Sequence, residues 1–275
     1  MNYTHLLLRG GESFLKGQNQ AQFEQKVLEN LQRLTDCKEF RKTRGRLILP
    51  YFSDHTKIKR VFGLSSYSLV LQVDKSMDAL QEGANQILQG KKGTFRVETN
   101  RADKNFPIKS PEISMLLGKY VEEKTELKFN FKSPQITLNI EINQLGAFLF
   151  LETISCLGGL PVGIEGQVAL FLENDASLLA GILFLKRGCC VFPFALKEKD
   201  LSLLQKFSPQ SLHLTTLVNN SELESQLIEK KLSALVLGEN FENYSPHKNK
   251  FISFRPLLAY SASEIKKELQ KFAEI

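Results

Sequence analysis

Metal ligands and membrane-spanning runs are scarce in this 275-residue chain. Its four cysteines, Cys37, Cys156, Cys189 and Cys190, include no C-x-x-C pair, and the adjacent Cys189 and Cys190 are badly spaced to chelate one zinc ion with the other two. The four histidines, His5, His55, His213 and His247, are scattered along the chain. No metal site is expected, and the cysteines read as buried free thiols of a reducing, cytoplasmic compartment. No run of about 18 apolar residues occurs, so no transmembrane helix and no membrane partner are expected. The apolar triplet Leu6, Leu7, Leu8 is followed at once by Arg9, Gly10, Gly11 and Glu12, the wrong flank for a signal peptide.

What the chain does have is core material and positive charge. Hydrophobic residues make up 42%, which suffices for two or three domains, and charged residues make up an ordinary 24%. The formal net charge is +6. Its distribution says more than its size. Cations cluster in the front half, at Arg41, Lys42, Arg44 and Arg46, then Lys57, Lys59 and Arg60, then Arg96, Arg101, Lys104 and Lys109. From Ser133 and Pro134 onward the chain is nearly balanced. A basic front half beside a neutral back half points to a polyanion met by the front.

Hydrophobic periodicity predicts a strand over 4–8, a helix over 19–34, a strand over 46–52, a helix over 54–62 and a strand over 66–73, an α/β sandwich of ferredoxin-like kind. A second unit follows, with helices over 76–90 and 111–123 and strands over 94–99, 135–142 and 146–153. Ser110, Pro111 and Glu112 make a good helix start. The Gly/Pro-rich stretch 157–166 reads as a linker. Strands over 167–172, 189–195, 211–217 and 233–238 then alternate with helices over 175–187, 200–206, 221–231 and 262–273, the pattern of a small doubly wound α/β domain. The expected boundaries are 1–74, 75–165 and 166–275.

Several segments together resemble the tRNA 4-thiouridine synthetases, or tRNA sulfurtransferases. They are LLLRGGESFLKGQNQAQFEQKVLENL (6–31), RKTRGRLIL (41–49), VFGLSSYS (61–68), FRVETNRADKNFPIKSPEISMLLGKYV (95–121), GGLPVGIEGQVAL (158–170) and FRPLLAYSASEI (254–265). The resemblance is collinear over nearly the whole chain, with Gly10 standing where the family has a tyrosine. It implies a ferredoxin-like domain, a THUMP domain and a PP-loop ATP-pyrophosphatase domain, with the first two holding tRNA by its acceptor end. In the family the third domain adenylates the uridine, and a cysteine persulfide delivers sulfur.

RNA ends are held by cations on phosphate and by aromatic stacking on bases. The candidate RNA contacts are therefore Arg41, Lys42, Arg44, Arg46, Arg96, Arg101, Lys104 and Lys109, with Phe106 among them as the aromatic. The nucleotide loop fails. A PP-loop needs S-G-G-x-D-S after the first strand, because bare glycine backbone and a helix N-terminus cradle phosphate. Here the matching residues are Leu172, Glu173, Asn174, Asp175, Ala176 and Ser177. Glu173 brings a carboxylate to the phosphate position, and like charges about 4 Å apart cost about 1 kcal/mol in water and several times that near a protein surface. Asp175 and Glu239 read as capping or solvated residues, with Asp175 capping the helix after it. The cysteine of the family's C-R-R-type stretch has no counterpart in 217–243.

The resulting expectation is a catalytically inactive, tRNA-binding paralogue without cofactor. It would work beside an active sulfurtransferase or a sulfur donor protein. One alternative is a diverged sulfurtransferase using ATP and magnesium at an atypical site. The other is an interaction scaffold, with the third domain as a homodimer surface.

Overall fold

The computed structural model describes residues 3–11, 19–35, 37–43, 45–246 and 251–275. Two compact units emerge, and they interleave along the chain. The first comprises residues 1–10, 37–53 and 66–155; the second comprises 11–36, 54–65 and 156–275. In chain order the front half runs β1 (His5–Gly10), α1 (Gln20–Leu34), β2 (Arg41–Thr43), β3 (Arg46–Pro50), a 3-10 helix (His55–Arg60) and β4 (Leu64–Val73). Then come α2 (Met77–Leu88), β5 (Thr94–Arg101), α3 (Ser110–Lys124), β6 (Lys128–Phe129), β7 (Ile136–Asn143), β8 (Gly146–Phe150) and β9 (Ile154–Ser155).

The ferredoxin-like strands and the following strands form one continuous sheet, ordered β2-β3-β1-β4-β8-β7-β5-β6, with β9 pairing β4. The join is the antiparallel pair β4–β8, where Leu71 faces Leu149 and Val73 faces Ala147. The helices α2 and α3 cover part of it: Leu80, Ala84, Ile87, Ile113, Leu117 and Val121 bury against Phe95, Leu138, Ile140 and Leu149. Ser76 caps α2 by accepting Ala79 N at 3.2 Å, and Pro111 sits in the first turn of α3, where its missing N–H costs nothing.

The second unit carries β10 (Gln167–Phe171), α4 (Asp175–Lys186), β11 (Cys190–Ala195), α5 (Ser202–Gln205), β12 (Thr215–Thr216), α6 (Asn220–Glu229), β13 (Ala234–Leu237), β14 (Ile252–Phe254) and α7 (Ala262–Ala273). Its sheet is wholly parallel and ordered β12-β11-β10-β13-β14. Both faces are buried, as a parallel sheet requires. In β10, Val168 and Leu170 face one core with α4 and α7, while Ala169 and Phe171 face another with Leu227 of α6. The winding direction reverses between β10 and β13, which makes their carboxyl ends the switch point where α/β folds usually bind ligands. The α1 helix belongs to this unit, and its Asn30 Nδ2 donates to Val162 O at 3.0 Å.

Several sequence expectations are corrected. The helix expected over 54–62 is a shorter 3-10 helix, His55–Arg60, that ends at Val61; Gly63 then turns the chain at φ +99°, where a Cβ would lie 2.8 Å from the Val27 side chain. The 211–217 strand shrinks to Thr215–Thr216, because as an edge it pairs only with Phe194 and Ala195. Strands β2, β6, β9 and β14 went unpredicted; at two or three residues each, they are too short to show alternation.

Candidate nucleic-acid interface

The front-half cations are built into a loop and a cavity of the first unit. The loop follows β5. Arg101 Nη1 donates to Phe106 O at 2.5 Å and to Lys104 O at 3.3 Å. Lys75 Nζ meets Asp103 at 2.8 Å, and Asp103 Oδ1 accepts Asn105 N at 3.0 Å. The Lys75 ammonium, with that backbone bond, holds the Asp103 carboxyl below the usual carboxylate range. This bracing presents Lys104 and Lys109 on an exposed turn, with Lys109 at the N-terminus of α3.

The cavity has a volume of about 510 Å³ and joins the edge strands to the distal ends of β5 and β7. Lys42, Thr43 and Arg46 line one side; Asn100, Ala102, Glu141, Asn143 and Gln144 line the other. Its centre is Glu141, only 5% exposed. Arg46 Nε donates to its carboxylate at 2.7 Å, and Arg9 Nη2 stands 4.0 Å away. Arg9 is fixed further by Ser68 Oγ at 3.0 Å and by the Phe150 ring, 4.9 Å from its guanidinium carbon. Burial pulls the Arg9 pKa down, and Glu141 counteracts this. Asn143 is 3% exposed; its Oδ1 accepts Leu145 N, and its Nδ2 has no hydrogen-bond partner. Two arginines and Lys42 against one carboxylate leave the site cationic, with a spare amide donor in its wall. That is a setting for an anion with hydrogen-bonding edges.

The predicted contacts are placed unevenly. Lys42 and Arg46 meet in the cavity, while Arg41 is exposed and donates to Gln72 Oε1 at 2.5 Å. Arg44 lies outside the described residues. Arg96 pairs with Glu98 at 2.6 Å near the start of β5, five residues and about 16 Å along the strand from Arg101. Phe106 is a correction. It is 5% exposed and packs in the core around α2 and α3, so it has no open face for a base. Sequence reasoning missed Arg9, Glu141 and Asn143. Glu141 falls on the polar positions of the alternating strand ITLNIEIN, with Thr137, Asn139 and Asn143, so alternation alone does not single it out.

In the second unit, residues 172–177 occupy the carboxyl end of β10 and the first turn of α4. Glu173, Asn174 and Asp175 are exposed, while Leu172 and Ser177 are buried. Asn174, not Asp175, is the N-cap residue, and it forms no side-chain cap bond. The buried Ser177 hydroxyl instead accepts Glu173 N at 3.3 Å, and Lys199 Nζ donates to Glu173 O at 2.9 Å. Across the switch point, a Cβ on Gly238 would lie 2.4 Å from Ser177 N, so not even a methyl group fits there. Glu239 is also a correction: it is 4% exposed and takes Arg255 Nε at 2.5 Å. Among the described residues no group of three or more His, Cys, Asp or Glu side chains could hold a metal ion. Burial raises the pKa of all four cysteines, Cys156 to about 12.

Two family models match the chain: the ThiI ferredoxin-like domain over residues 5–68 and the THUMP domain over residues 74–152. A probable tRNA sulfurtransferase of Mycoplasmopsis synoviae is 33% identical over 188 residues, covering 68% of this chain and 50% of the relative. One from Brevibacillus brevis is 36% identical over 201 residues with the same coverage. The chain thus spans about half the length of the curated relatives it matches. Among solved structures, PH1313 from Pyrococcus horikoshii Ot3 superposes with a TM-score of 0.86 at 24% identity, covering 98% of this chain and 99% of that one. A 4-thiouridine synthetase–RNA complex with bound ATP gives 0.84 at 23% identity, covering 98% and 85%. These two likenesses establish a shared fold. The two domain matches and the curated relatives show that the chain carries the ferredoxin-like and THUMP domains of the tRNA sulfurtransferase family.

Proposed function

We propose that this chain is a cytoplasmic tRNA-binding protein related to 4-thiouridine synthesis, holding the acceptor end of tRNA with its ferredoxin-like and THUMP domains and no longer activating ATP. The observation that carries the reading is the cationic cavity. Lys42, Arg46 and Arg9 come from three different strands, and Asn143 comes from a fourth, β7, together with Glu141, the buried acid that holds the arginines. A merely solvated surface has no need of such assembly. The exposed Lys104 and Lys109 add phosphate contacts of the kind that position RNA without reading it.

Loss of ATP activation is supported by the first turn of α4. The chain itself supplies acids there, Glu173 and Asp175, at the positive end of the helix where a phosphate would sit. The raised cysteine pKa values disfavour a thiolate nucleophile. A second reading, a diverged sulfurtransferase using ATP and magnesium, draws on a cavity of about 380 Å³ beside the loop, lined by Asn174, Asp175, Lys199 and Asp200. The partner on the first reading is an active sulfurtransferase or a sulfur donor protein; a homodimer would make the second unit a scaffold.

The test is tRNA binding by fluorescence anisotropy across a salt series, with ATP calorimetry in parallel. Binding is expected with a steep salt slope of about −0.7 to −0.9 per phosphate contacted. Lys42→Ala should lower the slope by about one contact, and no heat should appear with ATP and magnesium. No tRNA binding at low salt would overturn the proposal, whereas ATP heat would favour the enzyme reading.

A further inference from the structure

The described residues of the first unit include four well-exposed large aromatics: Phe40, Tyr51, Phe129 and Phe131. Phe129 and Phe131 share a mostly apolar groove with Val97, Met115 and Gly118, in which Lys119 is matched by Glu122 and no net positive charge remains. Phe40 differs. It is 36% exposed and lines a separate cavity of about 460 Å³ with His5, Lys38, Arg41, Ile48 and Pro50. Glu39 is also in the lining, so Lys38 and Arg41 leave a net positive balance. The guanidinium of Arg41 is held by Gln72 Oε1 at 2.5 Å and lies 3.4 Å from His5 Nε2. Burial and the neighbouring Arg41 charge lower the His5 pKa, and the other ring nitrogen, Nδ1, lies 3.0 Å from Thr4 Oγ1.

Position supplies the second half of the inference. Strand β2 is the outer edge of the sheet. Its Arg41 lines the Phe40 cavity, while the next two residues, Lys42 and Thr43, line the Glu141 cavity. Arg41 and Thr43 are two residues apart and so point to the same face, about 7 Å from each other, which sets the two cavities side by side along one edge strand. We propose that Phe40 is a stacking platform for one unpaired RNA base, with Lys38 and Arg41 beside the phosphate of the same nucleotide, as a second subsite next to the Glu141 cavity. This rests on the RNA-binding reading above, and it replaces Phe106 as the aromatic contact. An aromatic ring stacks any base, so the subsite selects single-stranded over paired RNA and does not select sequence.

The experiment uses the full chain and two RNA hairpins with the same stem, one blunt and one with a short unpaired tail carrying 2-aminopurine. Wild type should bind the tailed hairpin more tightly and quench the probe. Phe40→Ala should weaken binding of the tailed hairpin by about five- to a hundredfold, abolish the quenching, and leave the blunt hairpin and the salt slope unchanged. Phe40→Trp should restore both readouts, which separates stacking from folding. Lys42→Ala should instead weaken both hairpins. Unchanged tail binding in Phe40→Ala would overturn the proposal, as would equal weakening of both hairpins. If wild type binds neither hairpin at low salt, the RNA reading itself fails and the platform with it.

Discussion

Replacing Glu141 by glutamine tests whether the cavity of the first unit is organised by charge. The carboxylate is 5% exposed and faces Arg46 at 2.7 Å and Arg9 at 4.0 Å. Glutamine keeps the volume and one acceptor oxygen but removes the counter-charge from two partly buried guanidinium groups. Deleting one partner of a fully buried ion pair costs about 3–5 kcal/mol. Here the Arg9 and Arg46 side chains retain 16% and 27% exposure. Solvent therefore screens part of that cost, and about 2 kcal/mol is the expected loss. At about 2–4 °C per kcal/mol, the melting midpoint should fall by about 4–8 °C in calorimetry. The same change makes the cavity more cationic, so RNA binding at low salt should hold or tighten in the protein that remains folded. A midpoint within about 1 °C of wild type would refute the reasoning, because the arginines would then need no internal counter-charge.

Four further outcomes are expected. Gly238→Ala puts a Cβ 2.4 Å from Ser177 N, against backbone that cannot swing aside, so a loss of about 1–3 kcal/mol or more should appear in urea denaturation; a neutral result would mean the switch point has slack. Phe106→Ala should cost about 3–5 kcal/mol as a core truncation, while the salt slope of RNA binding stays unchanged at temperatures where the variant is folded. Cys156 is half-buried rather than buried as expected, and its pKa is pushed up to about 12, so it should react more slowly with thiol reagents at pH 8 in the native protein than in denaturant; equal rates would contradict the raised pKa. The Asp103 carboxyl is held low by Lys75, so its contribution is complete above about pH 3.9 and is lost as pH falls through the depressed value. Asp103→Asn should therefore flatten the acid limb of the stability profile, and an unaltered limb would count against the Lys75 pairing.

Most long elements could be read from the sequence because their signals are local. Phe23, Val27, Leu28 and Leu31 recur at helical spacing and are buried along α1. Ser261 and Glu264 form the capping box of α7, and Pro111 marks the start of α3. The departure of residues 172–177 from an S-G-G-x-D-S loop was equally plain, since it is a matter of residue identity.

What needed the tertiary structure was every property set by a distant neighbour. Glu141 becomes the centre of a site only because β7 brings it to Arg46, 95 positions away, and to Arg9. Phe106 and Phe40 both stand among cations in the sequence, yet packing against α2 and α3 buries one, and a sheet edge leaves the other open. Interleaving of the two compact units follows from the same cause, because strand pairing draws β1, β3 and β4 into one sheet with β8, whatever their order along the chain. Periodicity records which side of a residue faces inward; only the paired strands determine what it faces.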